Sequence, residues 1–332
     1  MDSLTQIVLG AAVGEVVLGK KAGNKAMLYG AIAGTIPDLD VLARQFKDTT
    51  MALDIHRGFT HSVVFSVVFA PLFGWLVSRY ERSGDFRGWS WLFFWTFFTH
   101  PLLDAHTTWG TQLFWPFDLR LAFQTIFVID PVYTVPFLVC LILALTRKRV
   151  NPKRAFYNKL GLWISSSYLA LTFVLKGLAF MQFSDALETQ GVNYTDLDTR
   201  PAPLNTILWA ANVDMEDAYL LGDYSFFDTQ PITFNSYAKN HHLIDSIRGN
   251  ERVERMIRIS QGWYTINKQD GKLYFNDLRF GLMSLEPHPQ DFVFIYEIGE
   301  DELGNIIFTE VPKDQQDAKA IASALWMRIK GN

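Results

Sequence analysis

Trp89-Ser90-Trp91-Leu92-Phe93-Phe94-Trp95-Thr96-Phe97-Phe98-Thr99-His100-Pro101-Leu102-Leu103 runs without a single Asp, Glu, Lys or Arg, and Asp104 closes it. So apolar a stretch suits a helix in lipid, yet a histidine and a carboxylate stand at its end. Such groups are costly beside hydrocarbon unless something pairs with them. The same conflict recurs upstream. His56-Arg57-Gly58-Phe59-Thr60-His61-Ser62 leads into residues 61–78, which also lack charged side chains, and Pro37-Asp38-Leu39-Asp40 follows another apolar run. Asp38, Asp40, His56, His61, His100 and Asp104 thus offer six oxygen and nitrogen ligands of the kind divalent metals prefer. A metal would partner all six.

Residues 121–146 contain only Asp130 as a charge, and 160–182 only Lys176. With 61–78 and 89–103 they make four candidate spans, since a spanning helix needs about 20 mainly apolar residues. Residues 4–19 and 25–36 are shorter and rich in Gly and Ala, as close-packed spans or half-helices would be. Every second connection is basic: Lys20, Lys21 and Lys25; then Arg79, Arg82 and Arg87; then Arg147, Lys148, Arg149, Lys153 and Arg154. The positive-inside rule puts these three in the cytoplasm. The loops holding Asp38, Asp40 and His56, and Asp104, His106 and Asp118, then face the other side, as does everything after residue 182. The expectation is six segments with both termini outside, and Gln6, Asp38, His61 and His100 at one membrane face. Met1-Asp2-Ser3-Leu4-Thr5-Gln6 lacks the basic region of a cleavable signal peptide.

Charge divides the chain further. Residues 1–182 carry 17 basic and 11 acidic side chains, whereas 183–332 carry 13 and 23. The expected organisation is an α-helical polytopic membrane domain of about six helices over 1–182, a linker over 183–203 containing Pro201 and Pro203, and a soluble α+β domain over 204–332. In that tail Asp270-Gly271 predicts a hairpin between 264–267 and 273–275. A second pair, 292–298 and 306–311, flanks Gly304-Asn305, and apolar residues at 318, 321, 322, 325 and 329 predict a helix over 313–330. Cys140, alone in an apolar run, excludes an intramolecular disulfide. Neither half has the basic, aromatic-interleaved stripe of a nucleic-acid binder.

His100 and Asp104, four apart, share one helix face. Asp38 and Asp40 cannot face the same way in an extended loop, so one can bind metal while the other supports it or bridges to a second ion. Both could equally mark a helix exit. Gly58 permits a tight backbone that turns His56 and His61 inward, and Thr60 can cap the helix that follows. Arg57 is placed to hold a phosphate bidentately, or else pairs with Asp54 or Asp38. Ligands drawn only from Asp and His favour zinc, manganese or iron over copper(I), and six exceed one tetrahedral site. A surplus shared between two ions is the pattern of two-metal hydrolytic sites. His106 is a ligand only if the helix ends at 104. Glu15 would pair with Lys20 or Lys21, Asp130 would start a helix or orient a ligand, and His241 and His242 read as surface residues.

The runs Asp2–Gly10, Gly34-Thr35-Ile36-Pro37-Asp38-Leu39-Asp40, His56–Ser62 and Thr99–Asp104 closely resemble the YdjM-like, membrane-bound metal-dependent hydrolases, inner-membrane proteins linked in bacteria to the LexA regulon. The resemblance covers about residues 1–145. It implies a metal site at Asp38, Asp40, His56, His61, His100 and Asp104 in a bacterial inner-membrane protein. Many relatives have a histidine near the amino terminus where this chain has Gln6, whose amide is a weak zinc ligand. The His-x-x-x-Asp element also looks like that of zinc-dependent phospholipase C.

Two functional expectations follow. In the first, the chain is a multi-pass hydrolase with one or two divalent ions, zinc first, and a metal-activated water attacking a phosphoester. Arg57 and Asp40 would be its catalytic side chains, and a phospholipid or lipid-linked phosphate its substrate. In the second, a non-enzymatic scaffold uses metal to staple helix ends while the tail binds a partner. A transporter ranks last, because the charged positions gather at one face rather than at mid-membrane.

Overall fold

The computed structural model describes residues 1–283, 292–313 and 318–332, which divide into two units. The first comprises Met1–Leu42, Ile55–Val174 and Pro203–Asn205; the second comprises Ala43–Asp54, Leu175–Ala202 and Thr206–Asn332.

In the first unit Asp2 caps α1 (Ser3–Ala22) by accepting from the Thr5 amide. Gly23, at φ 60°, turns the chain into α2 (Asn24–Thr35). The two helices pack backbone to backbone along a glycine seam. A Cβ on Gly10 would run into the Gly30 carbonyl, one on Gly30 into the Gly10 carbonyl, and one on Gly34 into the Gln6 carbonyl. The close packing foreseen for small residues is therefore present, and it fixes where the carboxyl end of α2 lies.

A nine-residue 3-10 helix, Pro37–Gln45, follows, then α3 (Thr49–Ile55) and a single 3-10 turn, Phe59–His61. Ser62, not Thr60, caps α4 (Val63–Tyr80), accepting from Phe65. α5 (Phe86–Asp104) returns beside it. Asp130 caps α6 (Pro131–Leu145), its Oδ1 accepting from the Val132 and Tyr133 amides and its Oδ2 from the Tyr168 hydroxyl. Its helix-start role is thereby realised. The interior between α1 and α6 is mixed, around Val8, Ala12, Phe137 and Leu141. It is aromatic between α4 and α5, around Phe65, Phe93 and Phe97.

Among the described residues three helices are long and apolar enough to cross a membrane: α1, α4 and α7 (Pro152–Thr189). Three of the six expected segments thus meet the length and composition of a span. α2 has only 12 residues. α6 has 15, because Asp130-Pro131 starts it ten residues later than the apolar run begins. α5 is 19 residues long, but Arg87, Trp, Thr and His side chains dilute its apolarity.

Glu15 pairs with Arg154 rather than with Lys20 or Lys21. The guanidinium bridges both carboxylate oxygens at 2.7 and 2.6 Å, and both side chains are buried. Removing one partner of a buried pair strands the other charge, at about 3–5 kcal/mol. Arg154→Met is therefore expected to lower the thermal midpoint of the detergent-solubilised protein sharply, whereas the exposed Lys21–Asp85 pair should tolerate Lys21→Met.

The second unit holds two four-stranded antiparallel sheets. The first runs β1 (Asp196–Pro201), β2 (Leu208–Asp214), β3 (Ala218–Ser225) and β4 (Phe234–Ala238) in that order. A helix, α8 (Glu251–Ile259), leads to β5 (Tyr264–Gln269), β6 (Lys272–Leu282), β7 (Phe292–Glu300) and β8 (Ile306–Glu310), also in sequence order. α9 (Ala318–Ile329) closes the chain. The Asp270-Gly271 hairpin stands as expected: both residues have positive φ, and Gln269 pairs with Lys272. The stretch 183–203 is not a linker. It carries the end of α7, whose Phe183 and Leu187 pack with Trp209, and then strand β1. Pro201 suggested a break, but it ends an edge strand, where a missing N–H costs no ladder bond.

Candidate metal centre

Three segments of the first unit deliver four side chains. Asp38 comes from the 3-10 helix after α2, His61 from the turn before α4, and His100 and Asp104 from the last turn of α5. Their ligand atoms all lie within 4.8 Å of one another. The two Nε2 atoms face each other at 3.2 Å. His61 Nε2 is 3.2 Å from Asp104 Oδ2 and 3.3 Å from Asp38 Oδ1. His100 Nε2 is 3.4 and 3.5 Å from the same two oxygens. A four-coordinate ion with bonds of about 2.0–2.1 Å has ligand-to-ligand edges of about 3.3–3.4 Å. These five distances match.

The remaining ring nitrogens show why the Nε2 atoms point inward. His100 Nδ1 lies 2.8 Å from the Gly34 carbonyl. A carbonyl only accepts, so Nδ1 carries a hydrogen and Nε2 is the nitrogen turned to the cluster. His61 Nδ1 lies 3.0 Å from Thr60 Oγ1 and 3.4 Å from Asp40 Oδ2. This is the outer partner that metal-binding imidazoles require. Asp104 Oδ2 is buried with Arg57 Nε and the two Nε2 atoms 3.2–3.4 Å away, none of them aligned as a hydrogen bond among the described residues, so its charge depends on cationic neighbours. Its Oδ1 is held by Gln6 Nε2 at 3.0 Å and by the Met1 amino group.

Asp40 and His56, expected as ligands, stand outside this group of four. They bind each other, His56 Nδ1 to Asp40 Oδ1 at 2.9 Å. Asp40 Oδ2 also accepts from the Arg57 amide and the Thr60 hydroxyl. A carboxylate so occupied organises the loop. Its replacement is expected to weaken metal binding about 10–100-fold, so Asp40→Asn should show a raised dissociation constant in a metal titration of the metal-free protein.

Arg57 is buried, and its Nε lies 3.4 Å from Asp104 Oδ2 while Nη1 donates to Thr107 Oγ1 at 2.8 Å. Neither Asp54 nor Asp38 is its partner. It is Arg57, at φ 59°, and not Gly58 that takes the left-handed backbone conformation. A non-glycine residue held there marks a site the surroundings over-determine. His106 turns away, with Nδ1 on the Leu102 carbonyl and its ring against Phe123 and Phe173. His241 is stacked on Tyr264. Sequence reasoning missed the Gly34 carbonyl and Thr107. A backbone acceptor leaves no side-chain signal, and Thr107 lies in irregular structure.

Burial opposes charge on His61, but the carboxylates of Asp104, Asp38 and Asp40 around it outweigh burial and push the imidazole up to about 10. Burial also opposes charge on Asp38 and Asp40, yet the histidines beside them hold both carboxylates well below their usual range. At neutral pH the metal-free centre therefore keeps both carboxylates ionised and a proton on His61, which metal uptake must displace.

Helices long and apolar enough to cross a membrane and a largely buried cluster of two Asp and two His define the class: a membrane protein with a possible metal-binding site. The YdjM inner membrane protein family matches residues 1–180, more than half of the chain. The chain belongs to that family. It is similar to inner membrane protein YbcI of Escherichia coli (strain K12), 37% identical over 99 residues, which cover 30% of this chain and 57% of that protein. It is also similar to the uncharacterized protein YfhP of Bacillus subtilis (strain 168), 28% identical over 142 residues, covering 40% of this chain and 42% of the other. The chain thus spans about half the length of these relatives. No solved structure matches it.

Proposed function

We propose that this inner-membrane protein is a metal-dependent hydrolase whose single divalent ion, zinc by preference, is held by Asp38, His61, His100 and Asp104. The observation carrying the reading is the convergence of two imidazole Nε2 atoms, 3.2 Å apart, with the carboxylates of Asp38 and Asp104. When bound, such an ion lowers the pKa of a coordinated water to near neutrality and so supplies a nucleophile. Arg57 is the group for the substrate. Its buried Nε lies 3.4 Å from Asp104 Oδ2 but makes no hydrogen bond among the described residues, and a guanidinium beside the ion suits the oxyanion of a phosphoester. Asp40 acts at one remove, by orienting His61 and the Arg57 backbone. The alternation of basic loops supports a multi-pass arrangement with residues after 182 outside the cytoplasm, which makes a lipid head group or lipid-linked phosphate the natural substrate.

The test is to purify the full chain in detergent and offer it phosphodiesters, phosphomonoesters and phospholipids. Arg57→Ala should keep the ion and lose turnover. Four protein ligands also suit a closed, structural site. If no substrate class turns over in the metal-loaded protein, the metal-stapled scaffold is the correct reading. A reporter fused after residue 182 should be active outside the cytoplasm, and cytoplasmic activity would refute the orientation.

A further inference from the structure

The loop between α5 and α6 carries an apolar tip that neither the fold nor the metal centre uses. Phe114, Trp115, Phe117 and Leu119 are exposed, Phe117 to 73%. The tip is nonetheless well made. Thr111 and Leu121 close its base with two backbone hydrogen bonds of 2.9 Å. Turn bonds join Trp115 to Gln112, Phe117 to Phe114 and Leu119 to Phe117. Such exposure of large side chains on an ordered loop is wasteful in water and marks an interaction surface.

Its roots say what it meets. The Gln112 amide donates to the Arg57 carbonyl, and the Val63 amide to the Leu113 carbonyl. The Thr111 hydroxyl donates to the His61 carbonyl, and Trp115 packs edge-on against Phe59. The tip therefore rises from the first residue of α4, a helix long and apolar enough to span and itself exposing Val64, Val67, Val68 and Leu72. Irregular backbone is not tolerated in the hydrocarbon region unless protein covers it, whereas aromatic side chains concentrate at head-group level. Asp118 and Arg120 share the tip, and the Arg120 guanidinium lies 3.3 Å from the His56 carbonyl.

We propose that Phe114–Leu119 is an interfacial anchor that inserts among phospholipid head groups beside α4 and holds Arg57 and the metal cluster at the depth of the lipid phosphates. The anchor rests on the membrane character of the family and not on hydrolysis, so it survives if no turnover is found. The test uses the full chain in phosphatidylglycerol–phosphatidylethanolamine vesicles, with Cys140→Ala removing the lone cysteine. Phe117→Cys or, separately, Leu119→Cys carries an environment-sensitive fluorophore, and Leu303→Cys, exposed on the β7–β8 turn, is the comparison. Nitroxide placed on lipid head groups is expected to quench the tip labels several-fold more than the Leu303 label, with iodide in the water doing the reverse. Iodide quenching equal to that at Leu303, without lipid quenching, overturns the proposal. Protection from both quenchers together with cross-linking between copies overturns it too, in favour of an interface with a second chain. Retained metal content in each variant shows that the fold survived labelling.

Discussion

Asp104→Ala should abolish metal retention and cost the first unit several kcal/mol of stability. This carboxylate meets the Arg57 guanidinium, both imidazoles, the Gln6 amide and the Met1 amino group. Alanine would leave Arg57 buried without an anion, and stranding a buried charge costs about 3–5 kcal/mol. Asp104→Asn, which keeps the volume but not the charge, should fold better and still bind metal poorly. Elemental analysis and thermal unfolding of the two variants read both effects. Wild-type metal content in Asp104→Ala would contradict the ligand assignment, and an unchanged midpoint would contradict the ion-pair account.

The second large effect lies at a position without any side chain. Gly30→Leu forces a Cβ into the Gly10 carbonyl, and over-packing of this kind costs about 1–3 kcal/mol even where flexible side chains can yield. Here the obstacle is backbone, so α1 and α2 must separate. The shift propagates to Gly34, whose carbonyl holds His100 Nδ1. Losing that outer partner should weaken metal binding about 10–100-fold. Gly177→Ala is the control: it lies within α7 with open space around its Cβ position, and should be neutral or stabilise slightly. Equal metal affinity in wild type and Gly30→Leu would break the link from the glycine seam to the centre.

Much of this was legible in the sequence, for reasons that differ by element. Runs free of charge located α4 and α5, a run with Lys176 alone located α7, and Asp270-Gly271 located the β5–β6 turn because both residues tolerate positive φ. His100 and Asp104 were readable as one face because four residues make one helical turn. The segment Pro37–Asp40 was harder. Read as extended, it leaves open which carboxylate meets the histidines. As a 3-10 helix it sets Asp38 against Nε2 of His61 and Asp40 against Nδ1, so two similar residues take different partners. Spacing cannot report that His56 would be drawn off by Asp40, nor that Arg57 would take the conformation expected of Gly58. Composition also reads 121–146 as one run, whereas Asp130-Pro131 starts α6 only at its eleventh residue.

If Asp38, His61, His100 and Asp104 enclose one divalent ion, X-ray absorption at the metal edge of the purified full chain should see it. About one ion per chain is expected, bound by nitrogen and oxygen at about 2.0–2.1 Å, with the scattering signature of two imidazoles that falls away in His61→Ala. No stoichiometric metal, or a spectrum unchanged in that variant, would contradict the four-ligand site.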